Sequence, residues 1–351
     1  MALAVGLVVG LSFPGTAAAQ DIDPSVYGIP TQRVAVDGSR RLNLMCLGQG
    51  APVVVLESGL GEDSLAWRRL QERVATVTRV CAYDRAGYGH SDPAARASDA
   101  VNTVDDLDRL LDAAGIRGPV VLVGHSAGGL YATLFADRHR DRLAGLVLID
   151  PMFAEQSREF GALRTEAQKA RGAEGFGGMI AEVDHCLELA TRGELTVANS
   201  PPDCLESPPG NDPAVHDEIN RRWIQAKYIA ANRSELLATH AGAEGDSLDE
   251  RQEAGARQEL GDLPLIILTS DPALLANVMP KAVFEVSQAI QENALRRLAK
   301  RSTQGRVRVV SGSGHHVQSE QPQAVALEIL AVVEAARRQV ESQKGISKLG
   351  R

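Results

Sequence analysis

The chain has 351 residues, of which 44% are hydrophobic and 23% are charged, a composition typical of a globular protein with a full-sized core. Its formal net charge of −8 argues against a nucleic-acid partner, because phosphate binding requires clustered Lys and Arg. We therefore expect a globular protein that does not bind nucleic acid.

The first residues join an apolar stretch, Ala2 to Phe13, to a helix-breaking Pro14 and a run of three alanines that ends at Ala19. This pattern resembles a signal peptide cleaved after Ala19, and it is too short to span a bilayer comfortably. Because no Lys or Arg precedes the apolar stretch, an uncleaved apolar tail or a mis-assigned start is the alternative. We predict a signal peptide over residues 1–19, export to the periplasm or medium, and no stable membrane anchor after cleavage.

Strand-like and helix-like runs alternate along the rest of the chain. An opening hairpin turns at Asp37–Gly38, and later strand-like runs are separated by helical stretches. In order, the strand-like runs are QRVAVDG, RLNLMCLG, PVVVLESG, TRVCAYD, VVLV, LAGLVLIDP, LPLIILTSD and RVRVV. This alternation indicates an α/β fold with a mainly parallel sheet covered by helices. After the closing helix, residues 342–351 are predicted to be a disordered tail.

A serine stands at the junction of one such strand and the helix that follows it. The run Val120–Val123 is predicted to be a strand buried on both faces, and the residues after Ser126 place an apolar stripe on one side of a helix. Gly124, Ser126 and Gly128 form the pattern G-x-S-x-G, in which small neighbours tolerate a strained turn that exposes a serine hydroxyl. Ser126 is therefore a candidate nucleophile.

Residues 152–260 differ from the segments on either side of them. This stretch is charged and rich in loops, and it lacks the signals of buried strands, so it should lie outside the sheet as a helical lid. The predicted core is then divided into residues 31–151 and 261–341. Six side chains in the stretch are candidates for an apolar pocket wall: Met152, Phe153, Phe160, Phe176, Met179 and Trp223.

Five motifs in this order resemble the α/β-hydrolase family, in its lidded, serine-esterase-like branch. They are VVVLESGLGEDSLAW, TRVCAYDRAGYGHSD, VLVGHSAGGL, GLVLIDP and GSGHHVQSEQP. The resemblance covers about residues 31–341 and implies a mostly parallel eight-stranded sheet, with the lid inserted after the sixth strand. It also implies a nucleophile, an acid and a histidine in that chain order.

Four cysteines, which can pair in three ways, agree with export to an oxidising compartment. The strand order of the resembled family places the second and fourth strands side by side, which implies that Cys46 and Cys81 can form a disulfide. Cys186 and Cys204 flank a Pro-containing loop, and closing it would stabilise the fold by roughly 3 kcal/mol. Four buried free thiols are the alternative.

A serine hydroxyl is a weak nucleophile that needs a base and a group to orient that base. His315 follows a strand on a flexible SGSG loop, and in the resembled motif this histidine is catalytic, with His316 as a pocket neighbour. Two aspartates are candidates for the acid. Asp150 ends the strand after the nucleophile, and Asp271 ends the strand after the insertion but is two residues short of the spacing usual in the family. We prefer Asp150, with Asp271 as the alternative.

Backbone N–H groups are needed to stabilise the oxyanion that forms during acyl transfer. Ala127 supplies one at the start of the helix after Ser126, where the helix dipole assists. The turn in ESGLG resembles the His-Gly-x turn of the family, with Ser58 in place of the histidine, and this resemblance implies the Leu60 N–H as the second donor. The DRAGYGHSD loop, residues 84–92, resembles a structural loop and is given no catalytic role.

The resulting prediction is a serine hydrolase that cleaves a carboxylic ester or a related acyl bond through an acyl-enzyme, without a metal or organic cofactor. Its expected partner is a small, apolar acyl substrate. An acyltransferase with the same triad is one alternative, and a non-catalytic ligand-binding module of the same fold is another. Dehalogenases and epoxide hydrolases of this fold resemble the chain less, since they use Asp as the nucleophile.

Overall fold

An eight-stranded sheet forms the centre of the chain in the computed structural model, which describes residues 21–205, 213–241, 245–274, 276 and 280–349. The predicted signal peptide, residues 1–19, lies outside the described residues. The strands are β1 (Gln32–Asp37), β2 (Arg40–Leu47), β3 (Val54–Glu57), β4 (Val80–Tyr83), β5 (Val120–His125), β6 (Leu143–Ile149), β7 (Leu265–Thr269) and β8 (Gly305–Val309).

The strands are ordered β1-β2-β4-β3-β5-β6-β7-β8 across the sheet. The pairs β1–β2 and β2–β4 are antiparallel, and every later pair is parallel. The central strands are buried on both faces because their alternate side chains point into two separate hydrophobic clusters. This confirms the predicted mostly parallel eight-stranded sheet.

Helices cover both faces of this sheet. One cluster packs under α2 (Ala100–Ala113), α3 (Ala127–Arg138) and α9 (Lys281–Ala299). The other packs under the short α1 (Gln71–Ala75) and α11 (Pro322–Leu349). A single turn, α10 (Val317–Glu320), precedes the last helix. Parallel strands joined by covering helices bring the carboxyl ends of β3, β5, β6 and β7 to one edge of the sheet.

The segment between β6 and β7 is helical within its described residues. It contains α4 (Gln156–Gly161), α5 (Glu166–Thr191), α6 (Pro213–Trp223), α7 (Ala226–Thr239) and α8 (Leu248–Ala256). Buried polar contacts fix the last three to the core: Arg222 pairs with Asp63 at 2.7 Å, Glu235 pairs with Arg85 at 2.7 Å, and Asp249 accepts the Ala100 N–H at 2.7 Å. Most of α5 is exposed.

The last helix differs from the prediction at its end. Helix α11 continues to Leu349, so residues 342–349 form helical backbone where we expected a disordered tail. Apart from Gly345, this stretch has no strong helix breaker, and its Gln and Lys residues favour helix. Within the described residues, no helix has both the length and the apolar composition needed to cross a membrane.

Two disulfides join the four cysteines. Cys46 and Cys81 are directly opposite each other on β2 and β4, and they are bonded, as the family's strand order implied. Cys186 in α5 is bonded to Cys204, across 18 residues of chain. The second bond attaches the exposed α5 to a small cluster that includes Ile229 of α7.

We expect peptide mapping of the unreduced protein, recovered from an oxidising compartment, to yield the linked peptides Cys46–Cys81 and Cys186–Cys204. Strand register fixes the first pair, because neighbouring strands hold the two Cα atoms 4.0 Å apart. Mass spectrometry before and after reduction checks the result. Four alkylatable thiols, or a pairing between the two sets, would contradict it.

Candidate active site

Ser126 lies on a strained turn between β5 and α3. Its φ of 54° and ψ of −122° are unusual for a residue other than glycine. Glycine is required on both sides by close packing: a Cβ at Gly124 would lie 2.2 Å from the Gly128 carbonyl oxygen, and one at Gly128 would lie 2.3 Å from the Ser58 oxygen. The G-x-S-x-G pattern thus reflects contacts that bring the serine turn against the end of β3.

The three residues that we predicted as nucleophile, base and acid form one chain of hydrogen bonds. His315, in the loop after β8, places Nε2 3.0 Å from the Ser126 Oγ. Its other ring nitrogen, Nδ1, lies 2.7 Å from Asp150 Oδ2. Their strands end at the same edge of the sheet, which brings together side chains that are far apart in sequence.

Asp150 is held in place by more than His315. Its second oxygen, Oδ1, accepts hydrogen bonds from the Ser270 N–H at 3.0 Å and from the Ser270 and Thr269 hydroxyls at 3.1 Å. Burial raises the pKa of Asp150, but the hydrogen bonds from His315, Ser270 and Thr269 outweigh burial and lower that pKa below its ordinary value. The carboxylate is therefore ionised at neutral pH and can accept a proton-bearing imidazole nitrogen.

Asp271, the alternative acid, is placed elsewhere. Its Oδ2 accepts the Gly312 N–H at 2.8 Å, and its Oδ1 accepts the Ala273 N–H at 2.9 Å. These backbone hydrogen bonds lower the pKa of this exposed carboxylate. Asp271 therefore fastens the loop that carries His315, while the structure brings Asp150, and not Asp271, to the imidazole.

The two predicted oxyanion donors lie near the serine. Ala127 begins α3, where N–H groups have no partner within the helix. Leu60 belongs to a turn that lies against the serine. The neighbouring Gly59 is so close that a Cβ at this position would be 3.3 Å from the Ser126 Cβ. Ser58 serves this region structurally: its hydroxyl accepts the Trp67 indole N–H at 2.8 Å and donates to the Asp63 carbonyl at 3.0 Å.

Arg85 orients this turn, although sequence reasoning gave its loop no role in the site. The guanidinium donates to the Ser58 and Gly59 carbonyl oxygens, each at 2.7 Å. The Gly59 carbonyl and the Leu60 N–H belong to one planar trans peptide and point in opposite directions. Fixing the carbonyl on Arg85 therefore also fixes the direction of the Leu60 N–H.

Two buried glutamates complete the support of this turn. Arg85 pairs with Glu57 at 2.9 Å and with Glu235 at 2.7 Å. Glu235, from α7 of the insertion, also accepts the Gly61 N–H at 3.1 Å. Arg85 and Glu235 are 150 residues apart, so no local pattern in the sequence indicates this contact.

A second group lies beside the site: His316, which we predicted as a pocket neighbour, and His125 and Glu62, to which we gave no role in the site. His125, next to the serine, is buried and directs its Nε2 to the His315 carbonyl oxygen at 3.0 Å and its Nδ1 to Glu62 Oε2 at 3.1 Å. His316 Nδ1 lies 3.3 Å from Glu62 Oε1. Burial raises the pKa of Glu62, but His125 and His316 outweigh burial and hold that pKa well below its usual value.

A cavity of roughly 940 Å³ opens in front of Ser126, between the sheet edge and the insertion. Of the six predicted wall residues, Met179 and Trp223 line it. Met152 and Phe153 line a separate, smaller pocket, Phe160 packs against Phe153, and Phe176 stacks on His240. The remaining apolar wall is formed by Leu60, Leu65, Val183, Val215, Ile219, Tyr228 and Leu236.

Comparison with known proteins identifies the relatives of this chain. A lipase of Mycobacterium tuberculosis is 39% identical over 114 residues, which are 32% of this chain and 42% of the lipase. An uncharacterised protein of Bacillus subtilis is 28% identical over 199 residues, 53% of this chain and 78% of that protein. The chain thus spans less than half of the first of these curated relatives.

Solved structures share the fold. A thermophilic esterase from Thermogutta terrifontis superposes with a TM-score of 0.52 at 23% identity, covering 87% of this chain and 99% of the esterase. The model of the alpha/beta hydrolase family matches residues 53–328, which is more than half of the chain and contains every residue of the hydrogen-bonded Ser126–His315–Asp150 group. On this match, the protein belongs to the alpha/beta hydrolase family.

Proposed function

We propose that this protein is an exported serine hydrolase that cleaves a carboxylic ester through an acyl-enzyme. The observation that carries the proposal is the continuous chain of hydrogen bonds from Ser126 Oγ through His315 to Asp150, at the floor of a large cavity. Such a chain provides a nucleophile, a base and a group that fixes the tautomer of the base.

In the proposed reaction, Ser126 Oγ attacks the ester carbonyl carbon and His315 Nε2 takes its proton. Asp150 keeps the proton on Nδ1 and stabilises the imidazolium. The Leu60 and Ala127 N–H groups donate to the oxyanion of the tetrahedral intermediate. The intermediate collapses, the C–O bond breaks, and His315 returns the proton to the leaving alcohol. Water then repeats the sequence, which releases the carboxylic acid and restores Ser126.

Several features support the finer parts of the proposal. We assign the insertion, residues 152–260, the role of a lid, since its Met179 and Trp223 line the cavity that contains Ser126. The apolar wall favours a small substrate with an apolar acyl group. The two disulfides agree with an oxidising compartment and therefore with export. The reaction as written needs no metal or organic cofactor.

A fluorophosphonate probe and a panel of p-nitrophenyl esters test this function. We expect the probe to label Ser126, identified by peptide mapping, and the esters to be hydrolysed with a preference for one range of acyl chain length. Adding an alcohol separates hydrolysis from acyl transfer, since a transferase would form the new ester in place of the acid. Neither labelling nor turnover would indicate a non-catalytic binding module and contradict the proposal.

A substitution at Arg85 tests the orientation of the Leu60 N–H. In Arg85→Lys the charge remains, but an ammonium group cannot replace the planar fork that contacts both carbonyls and both glutamates. We expect kcat to fall by about 10- to 100-fold, less than the roughly 10²- to 10³-fold loss of a whole oxyanion donor, with little change in KM.

The matched control is Arg96→Lys, since Arg96 is an exposed arginine whose ion pairs with Asp105 and Asp106 do not reach the site. Steady-state kinetics and circular dichroism are measured for both variants. Unchanged kcat in a folded Arg85→Lys protein would show that the carbonyl contacts do not govern the turn.

A further inference from the structure

Three side chains from different strand ends converge beside Ser126 and have no part in the proposed reaction. Glu62 follows β3, His125 ends β5, and His316 follows β8. One ligand atom from each lies within 4.8 Å of the others. All three line the cavity that contains Ser126, so the group is accessible from solvent through that cavity. We name these three residues the Glu62 cluster.

The hydrogen bonds of His125 leave one of its nitrogens facing an acceptor. The His315 carbonyl oxygen, 3.0 Å from Nε2, can only accept, so Nε2 carries a hydrogen. A neutral imidazole then has a lone pair on Nδ1, which faces the Glu62 carboxylate at 3.1 Å. Two acceptors at this distance repel each other unless a cation, either a proton or a metal ion, lies between them.

The surroundings of the cluster match those of a metal ligand set. A histidine that binds a metal commonly donates its other N–H to a backbone carbonyl, as His125 does to His315. Glu62 is likewise oriented, since its Oε2 accepts the Gly59 N–H at 2.8 Å. Two imidazoles and one carboxylate suit zinc and other first-row transition ions, and not magnesium or calcium, which take oxygen ligands.

To form a metal site, the three ligand atoms, which lie within 4.8 Å of one another, must move closer together. In a tetrahedral zinc site with bonds of about 2.1 Å, neighbouring ligand atoms are roughly 3.4 Å apart. His125 Nδ1 lies 3.1 Å from Glu62 Oε2, and His316 Nδ1 lies 3.3 Å from Glu62 Oε1, so each imidazole is already close to this value from its own carboxylate oxygen. His125 is fixed in the core, while the His316 side chain is 38% exposed and can approach it.

We propose that Glu62, His125 and His316 bind one divalent transition-metal ion, such as Zn²⁺, at the side of the cavity, with water as the remaining ligand. This site is separate from the Ser126–His315–Asp150 group and holds a ligand of a different chemical class. The His315 ring centroid lies 4.8 Å from that of His125 and 5.5 Å from that of His316, so a divalent cation held by these two rings opposes the positive charge that His315 takes up as the base. The bound ion therefore inhibits the reaction.

Calorimetric titration of the chelator-treated full chain with Zn²⁺ tests binding without any substrate. The variants are Glu62→Gln and His316→Gln, which remove one ligand each, and His315→Gln, which removes the neighbouring imidazole. His139→Gln is the matched control, because His139 has a similar loose contact with a carboxylate, 3.9 Å from Asp108. Visible absorption with Co²⁺ reports the ligand geometry, and circular dichroism reports folding.

We expect the parent, His315→Gln and His139→Gln to bind one Zn²⁺ per chain with similar affinity. Glu62→Gln and His316→Gln should bind at least about tenfold more weakly. No binding by the parent would overturn the site, and so would unchanged affinity in folded His316→Gln. Loss of binding in His315→Gln with retention in His316→Gln would place the ion on the proposed base instead and would equally overturn the proposal.

Inhibition rests on the proposed function and is measured separately. For p-nitrophenyl ester hydrolysis, we expect saturating Zn²⁺ to lower the kcat of the parent at least about tenfold, and a chelator to restore it. The ratio of kcat without Zn²⁺ to kcat with Zn²⁺ should be smaller for His316→Gln than for the parent. An active parent with unchanged kcat would overturn the inhibition alone. A parent that hydrolyses no ester would overturn the proposed function, while the calorimetric result would still decide the metal site.

Discussion

Replacing Ser126 by alanine is expected to abolish ester hydrolysis and leave the fold intact. The change removes one oxygen atom from a turn, and alanine keeps the buried backbone contacts, including the hydrogen bond from the residue 126 N–H to the Ile149 carbonyl at 3.0 Å. Removal of the nucleophile from a comparable triad costs about 10⁶-fold in kcat, so we expect activity near the detection limit. Fluorophosphonate labelling should disappear with it.

Ser311→Ala is the matched control for this substitution. Ser311 is an exposed serine in the loop after β8, and its hydroxyl lies 3.3 Å from Asp271, away from the cavity. Its variant should retain the parent's kcat and labelling. Equal turnover by Ser126→Ala and by the parent would refute the serine-hydrolase function. Contaminating hydrolases are excluded by purifying and assaying an inactive tagged control.

A second large effect distinguishes the two candidate acids. In Asp150→Asn the amide can donate a hydrogen bond to His315 Nδ1, which favours the tautomer with the proton on Nε2. Because Nε2 must be unprotonated to accept the proton of Ser126, this tautomer cannot act as the base. We expect kcat to fall by about 10⁴-fold. Asp271→Asn should cost little, because the new side chain keeps an oxygen that can accept the Gly312 or Ala273 N–H.

Steady-state kinetics of both variants on the same ester decide which aspartate is the acid. Thermal unfolding checks that both variants are folded. Asp271→Asn is the matched control for loss of one carboxylate near the His315 loop. A severe loss confined to Asp271→Asn would show that the acid is Asp271, in the loop after β7, and that Asp150 is structural. Equal, severe losses in both folded variants would contradict the assignment of Asp150 as the acid and Asp271 as a residue that only holds the loop.

Local sequence patterns were sufficient to predict the mainly parallel sheet and to propose Ser126 and His315 as candidate site residues. The central parallel strands are buried on both faces, so they can be identified in the sequence as runs of branched apolar residues. The serine turn could be identified for a similar reason, because Gly124 and Gly128 are required by close backbone contacts. His315 was identifiable because it follows a strand on a Gly-rich loop in a motif that resembles the family.

Long-range contacts were not available to the same reasoning. The sequence favoured Asp150 but kept Asp271 as the alternative, since both follow strands that end at the same sheet edge, and the choice depends on which carboxylate reaches Nδ1 of His315. The pocket wall was also mispredicted in part: Met152 and Phe153 are apolar and near the site in sequence, yet they pack into a different pocket. Both residues lie in the loop between β6 and α4, where no periodic pattern indicates which way a side chain points.

The sequence by itself determined the alternation of strands and helices, the strained serine turn and the position of the candidate base, because each depends on neighbouring residues. Only the tertiary structure decided which aspartate meets His315, how Arg85 and Glu235 orient the Leu60 peptide, and that Glu62, His125 and His316 converge. These contacts join residues tens to hundreds of positions apart. They exist because parallel strands, ordered by packing and not by sequence, end at one edge of the sheet.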